Sequence, residues 1–248
     1  MKTESSRITI ATAILCSLML SARATTSTPL AETDYYNKVI ASSVRTDADR
    51  KSDDTRRPVE FLQFTQVQPG ERVLDIAAGG GNTSQLLALA VGPEGGLWAQ
   101  TAKAGPGIEK RLAEHPDSNI KLLVRSFNDP YPADLPRLDL VTLIMNYHDI
   151  VNAPFDRAAM NRKIFEALKP GGRYIVIDHS TKPGVGLTQT NTLHRIDEAT
   201  VIQEVTQAGF ILDSGSSYLR NAADPREQNY SEMKTMTSDK FALRFVKK

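Results

Sequence analysis

Residues 73–90, VLDIAAGGGNTSQLLALA, read as a buried strand, a glycine turn and the opening of a helix. Val73, Leu74 and Ile76 form a short apolar run of the kind found in strands covered on both faces, and Asp75 interrupts it near the carboxyl end. Gly79, Gly80 and Gly81 follow at once, letting the backbone turn sharply with no Cβ between main chain and ligand. Asn82 or Thr83 is placed to cap the following helix, whose amides point back at the turn. The stretch predicts a ligand cradle.

Spacing narrows the ligand. A dinucleotide turn requires G-x-G-x-x-G, which is absent here. The run Asp75-x-Ala77-x-Gly79-x-Gly81 instead resembles D-x-G-x-G-x-G, the first motif of the class I S-adenosylmethionine-dependent methyltransferases, with Ala77 in place of the first glycine. The resemblance implies that the loop backbone lies along the methionine part of S-adenosylmethionine. It also implies that Asp75 assists through hydrogen bonds to the loop or to the cofactor's amino group.

Later segments extend the resemblance over roughly residues 55–248. Leu97-Trp98-Ala99-Gln100 reads as a second strand. In the family that strand ends in an acidic residue that takes both ribose hydroxyls, so Gln100 is the expected ribose partner, without the stronger charge-assisted pair. Ile120 to Val124 is a third strand, and the loop after it implies an adenine edge at Phe127 and at Asn128 or Asp129, with Asn128 the preferred position. The fourth strand, Leu138 to Met145, runs into Asn146-Tyr147-His148-Asp149, and the fifth, Arg173 to Ile177, runs into Asp178-His179 after a Lys169-Pro170-Gly171-Gly172 turn. Phe210 to Leu212 and Phe241 to Val246 supply strands six and seven, the last as an antiparallel edge. The expected fold is α/β: a single Rossmann-like methyltransferase domain with a seven-stranded, mostly parallel sheet, an antiparallel last strand, and helices on both faces. The NYHD and LHRIDEAT stretches further resemble a group of predicted exported methyltransferases.

The implied activity is methyl transfer from S-adenosylmethionine to a small-molecule acceptor, an in-line displacement in which the protein positions a nucleophile and removes its proton. His148 is the expected general base, because its ordinary pKa is near neutral and the end of a central strand places it near the methyl group. Asn146, Tyr147 and His179 complete the expected catalytic set. His148, His179 and His194, with Asp149 and Asp178, have the nitrogen and oxygen donors of a metal site. No local ligand spacing such as H-x-x-x-H supports one, so the expectation is a site without metal, in which His148 and His179 meet and His194 closes the substrate side from the loop 180–195. A metal-dependent enzyme or a non-catalytic ligand-binding protein on the same fold are the alternative readings.

The rest of the chain sets boundaries. Lys2 and Arg7, the apolar run Ile8 to Leu20 and Ala22-Arg23-Ala24 fit a secretory signal peptide over residues 1–24, since the run is short of the ~20 residues a spanning helix needs. Export to a periplasmic or extracellular location follows, with no stable membrane insertion after cleavage. Cys16 is the only cysteine, so a mature chain has no disulfide and no thiolate chemistry. Residues 25–54 read as a polar arm over the core, where Tyr35, Tyr36, Val39 and Ile40 form one short helical face, ahead of the domain at 55–248 with a helix expected over Thr55 to Val67. The 30 basic and 29 acidic residues are mixed along the chain, giving a net charge of +1 and no basic stripe for nucleic acid.

Overall fold

The computed structural model describes residues 29–248; the expected leader, with Cys16 and the cleavage after Ala24, lies outside the described residues. Four short helices come first: α1 (Pro29–Ile40), α2 (Asp47–Lys51), α3 (Asp53–Arg56) and α4 (Pro58–Thr65). The sheet then builds through β1 (Arg72–Ile76), α5 (Asn82–Val91), β2 (Gly96–Thr101), α6 (Pro106–Glu114), β3 (Ile120–Val124) and β4 (Leu138–Ile144). The chain continues with α7 (Tyr147–Val151), α8 (Arg157–Ala167), β5 (Leu168–His179), α9 (Glu198–Gln207), β6 (Ile211–Ser216) and β7 (Lys240–Val246).

The seven strands lie in the order β3-β2-β1-β4-β5-β7-β6. The first five are parallel, and β7 runs antiparallel to both its neighbours, β5 and β6. The expected antiparallel last strand is present, but it is not the edge. Phe241, Ala242, Leu243 and Phe245 are all buried, so β7 belongs inside, whereas Ile211 and Leu212 of β6 stay exposed and form the border.

Alternation along the strands divides the core in two. Val73, Leu97, Leu140, Ile175 and Ile177 face one side, where α1, α4 and α5 bring Tyr36, Leu62 and Leu87. Leu74, Val141, Leu143, Tyr174 and Val176 face the other, against Tyr147, Met160, Ile164 and Val201 of α7, α8 and α9. Each such fully buried side chain contributes about 1.5–3 kcal/mol.

Two local expectations, a helix and a cap, are corrected. The helix expected over Thr55 to Val67 is broken at Arg57, which adopts φ 48° because Pro58 excludes the helical conformation from the residue before it. From Pro29 on, the arm packs on the core: Tyr36 is fully buried and its hydroxyl donates to the Val67 carbonyl at 2.8 Å. Neither Asn82 nor Thr83 caps α5, whose N-cap is Gly81 with no side-chain bond. The Asn82 amide donates instead to Asp49 at 2.7 Å.

Candidate active site at the ends of the central strands

Parallel registration brings the glycine loop and two polar strand ends to one edge of the sheet. Asp75 pairs with Thr142, and Ile144 with Ile177, so β1, β4 and β5 release their following loops side by side. Open parallel sheets bind ligands in such a crevice.

The loop after β1 is built on a left-handed backbone. Ala77, Gly79 and Gly81 have φ of 57°, 55° and 80°, so all three positions where the resembling motif has glycine take the conformation that glycine favours. The two glycines serve different ends. A Cβ on Gly81 would sit 2.5 Å from Ile108 Cδ1 of α6, whereas one on Gly79 would meet nothing closer than the Ala77 carbonyl at 3.9 Å. Gly81 is needed for packing, while Gly79 leaves open space beside the loop.

Asp75 is buried and does not face that space. Its two oxygens accept from Ser84 Oγ at 2.6 Å and Thr142 Oγ1 at 2.8 Å, tying β1 to the first turn of α5 and to β4. Burial raises its pKa to about 6, against the pull of the two hydroxyls. Gln100, expected at the ribose, is fully buried. Its Oε1 accepts from Ala77 N at 3.2 Å and its Nε2 donates to the Arg125 carbonyl at 2.7 Å, so the amide is spent on main chain and braces the loop from below. Asn128 is likewise engaged elsewhere: its Oδ1 accepts from Asp156 N, at the head of α8, at 2.7 Å.

The loop is also gripped from above by residues that sequence reading missed. Asp49 of α2 is buried and accepts from Arg111 Nη1 and Nη2 at 2.9 and 2.8 Å, from Asn82, and from Thr46 N. Arg111 Nε donates in turn to the Gly80 carbonyl at 3.0 Å. Burial opposes the charge on Asp49, but these donors hold its carboxyl well below the usual range. The only sequence signal was local, the capping box that Thr46 and Asp49 form at α2.

The NYHD segment divides its side chains between core and cleft. Asn146 Nδ2 donates to the Ile144 carbonyl at 2.9 Å and approaches the Ala77 carbonyl at 3.5 Å, joining the end of β4 to the glycine loop. Tyr147 is not in the site: it is fully buried against the helices, its hydroxyl donating to Glu204 at 2.7 Å and accepting from Asn161 at 2.9 Å. Helical periodicity sends consecutive side chains in different directions, so the first residue of α7 turns into the core.

His148 is the buried centre of a cluster. Its Nδ1 lies 2.7 Å from Asp178 Oδ1, and its main-chain N donates to Asp178 Oδ2 at 2.9 Å. Nε2 stands 3.2 Å from Asp149 Oδ1, a charge contact whose alignment falls short of a hydrogen bond, and has no other partner among the described residues. Burial lowers the pKa of such a ring, but the carboxylates of Asp149 and Asp178 outweigh it and lift His148 to about 9. Asp149, half-exposed, is held below its ordinary range by His148 and then His194. The ring is fully buried and the two carboxylates favour its protonated form, so the general-base role expected of His148 requires that proton to leave first.

His179 does meet His148, with ring centroids 5.8 Å apart, but Nδ1 is bonded to Ser238 Oγ at 2.7 Å and the ring stacks on Tyr230 at 3.6 Å. Burial, with Lys240 and His148 nearby, drives its pKa down to about 2. His194 also converges, its ring 5.6 Å from that of His148 and its Nδ1 3.0 Å from Asp149 Oδ1. Tyr230 was not anticipated. Its segment is anchored by the buried pair Arg195–Asp224 at 2.7 Å, and Arg195 also donates to the Gln228 carbonyl at 2.9 Å and the Ser180 carbonyl at 3.0 Å. An open cleft of about 480 Å³ adjoins the cluster, lined among others by Met145, Asn146, Asp149, His179, Tyr230, Met233 and Met236, with Arg56 and Lys240 also in its lining.

No family model matches the chain. The ubiquinone/menaquinone biosynthesis C-methyltransferase UbiE of Ectopseudomonas mendocina is 29% identical over 126 residues, 50% of this chain and 47% of that protein. The protein of the same description from Burkholderia multivorans is 31% identical over 119 residues, 46% and 45% of the two chains. The chain therefore spans about half the length of the curated relatives it matches. Among solved structures, a SAM-dependent methyltransferase from Aquifex aeolicus superposes with a TM-score of 0.59 at 15% identity, covering 85% of this chain and 97% of that one. Aeropyrum pernix fibrillarin, solved with natively bound S-adenosyl-L-methionine, gives a TM-score of 0.51 at 15% identity over 75% and 74%. Strand order and these neighbours together give the chain the fold of the class I S-adenosylmethionine-dependent methyltransferases.

Proposed function

We propose that the chain is an S-adenosylmethionine-dependent methyltransferase acting on a small-molecule acceptor. The observation that carries the reading is the loop at Ala77, Gly79 and Gly81, left-handed at each motif position and open beside Gly79. The residues suited to hold the cofactor are the main chain of that loop, with Asp75 and Gln100 fixing it from the buried side. When bound, S-adenosylmethionine supplies an electrophilic methyl group. The chain's own contribution is placement: Asn146 ties the loop to the cleft, and Asp149 opens onto the same cleft. Met233, Met236 and Tyr230 offer an apolar wall and Arg56 and Lys240 cationic groups, which favours a small acceptor with an apolar body and an acidic substituent.

Calorimetry with S-adenosylmethionine and S-adenosylhomocysteine tests the reading. Binding is expected, and Gly79→Val, which puts a side chain into the open space, should abolish it while circular dichroism reports a folded chain. Absence of heat at millimolar ligand with the unaltered, folded protein would sink it.

We further propose that residues 1–24 direct export and are removed, so that the protein works outside the cytoplasmic membrane. The apolar run Ile8 to Leu20 with its basic flank supports this. Among the described residues no helix is long and apolar enough to cross a membrane. Mass spectrometry of the amino terminus in cell fractions decides the matter, an intact terminus in the cytosol counting against export.

A further inference from the structure

At the rear of the cleft three side chains direct ligand atoms at one another. His148 Nε2 and His194 Nδ1 lie 3.2 and 3.0 Å from the same Asp149 oxygen, and the three atoms fall within 4.8 Å of one another. Donors around an ion at about 2.1 Å stand about 3–3.5 Å apart, so modest closure of the His194 loop completes the set.

Two further features point to a ligand. His148 is fully buried, and among the described residues its Nε2 makes no aligned hydrogen bond beyond the charge contact with Asp149 at 3.2 Å, which is costly unless something binds there. The opposite nitrogen, Nδ1, is fixed on Asp178, whose carboxylate is itself held by the main-chain N–H groups of His148 and His179 at 2.9 and 2.8 Å. A carboxylate on one imidazole nitrogen, aiming the other at a common point, is the outer arrangement of histidine metal ligands. His179 Nε2 is likewise buried without a hydrogen-bond partner among the described residues, but its ring lies flat on Tyr230 and it stands outside the group whose donor atoms lie within 4.8 Å of one another.

The geometry points to a divalent transition-metal site made by His148 Nε2, Asp149 Oδ1 and His194 Nδ1. Two imidazoles and one carboxylate suit zinc, and Asp149, which lines the cleft, places the remaining coordination position toward it. Metal binding stands on these side chains alone, the ion taking the place of the Nε2 proton of His148, which is released to solvent. Its use, holding an oxygen of the acceptor as a Lewis acid, rests on the methyl-transfer reading.

The test is titration of chelator-stripped full-length protein with zinc chloride, in calorimetry with a competing chelator. One zinc per chain at micromolar affinity or tighter is expected. His194→Ala, at a half-buried position, and Asp149→Asn, at an exposed one, should each weaken binding on the order of 100-fold. Asp178→Asn should weaken it by about 10–100-fold through the orientation of His148. Cobalt(II) should give the visible absorption of a low-coordinate site in the unaltered chain and lose it in His194→Ala. No zinc uptake at micromolar concentration, or unchanged affinity in His194→Ala, overturns the proposal. Retained S-adenosylhomocysteine binding verifies that each variant is folded, and its absence from the unaltered chain would count against methyl transfer while leaving the metal result standing.

Discussion

Gln100 reaches under the glycine loop to accept from Ala77 N at 3.2 Å while donating to the Arg125 carbonyl at 2.7 Å. Only an amide does both, because a carboxylate has no proton for the carbonyl. Gln100→Glu should therefore destabilise the fold by about 2–3 kcal/mol, more at pH 8 than at pH 5, where the buried acid can keep a proton. Urea denaturation at the two pH values measures this, and equal stability of variant and parent at pH 8 would refute it.

Ala77 occupies the first glycine position of the motif at φ 57°. A left-handed alanine costs about 1–2 kcal/mol, and the extra freedom of glycine in the unfolded chain offsets part of the relief. Ala77→Gly should raise stability by about 0.5–1 kcal/mol. Thermal and chemical unfolding check it; a loss of stability would mean that the methyl group's packing outweighs the strain.

Asp49 and Arg111 clamp the loop from the arm side, and both side chains are largely buried. Asp49→Asn leaves the guanidinium without its counter-charge and loosens its hold on the Gly80 carbonyl. Hydrogen exchange should accelerate across residues 79–84, with a stability loss of about 2–4 kcal/mol. Unchanged exchange there would show that the clamp is dispensable.

Asp75 should give the protein a distinct pH dependence. Its folded pKa, about 6, lies above its ordinary value of 3.8. Below the lower value both states hold the proton and the contribution is fully present. Between the two, the unfolded chain releases its proton first, so stability falls as pH rises, by roughly 2–3 kcal/mol in all, and levels off above pH 6. Asp75→Asn keeps the shape and should flatten this fall relative to the parent. Parallel slopes between pH 4 and 6 in the two proteins would contradict it.

The sequence by itself determined the elements and the loop. Apolar runs of strand length, separated by helical periods and by turns such as Gln68-Pro69-Gly70 and Gly92-Pro93, state a parallel sheet with helices on both faces, because local patterning follows which residues must be buried. The Asp75 to Gly81 spacing located the ligand cradle for the same reason: left-handed backbone leaves its mark as glycine in the sequence itself. Partnership across the sheet is not written that way. Strand ends far apart in sequence become neighbours only through the order β1-β4-β5, which decided that Asp178 would orient His148 and that both would lie behind Asp149. Tertiary structure also turned Tyr147 into the core, committed Gln100 and Asn128 to main-chain groups, moved β7 inside the sheet, and brought Asp49 and Tyr230 to the site from distant segments. A side chain's direction depends on the packing of both faces of its element, and hydrogen-bond partners depend on what the fold brings within about 3 Å; neither is carried by the identity of the residue alone.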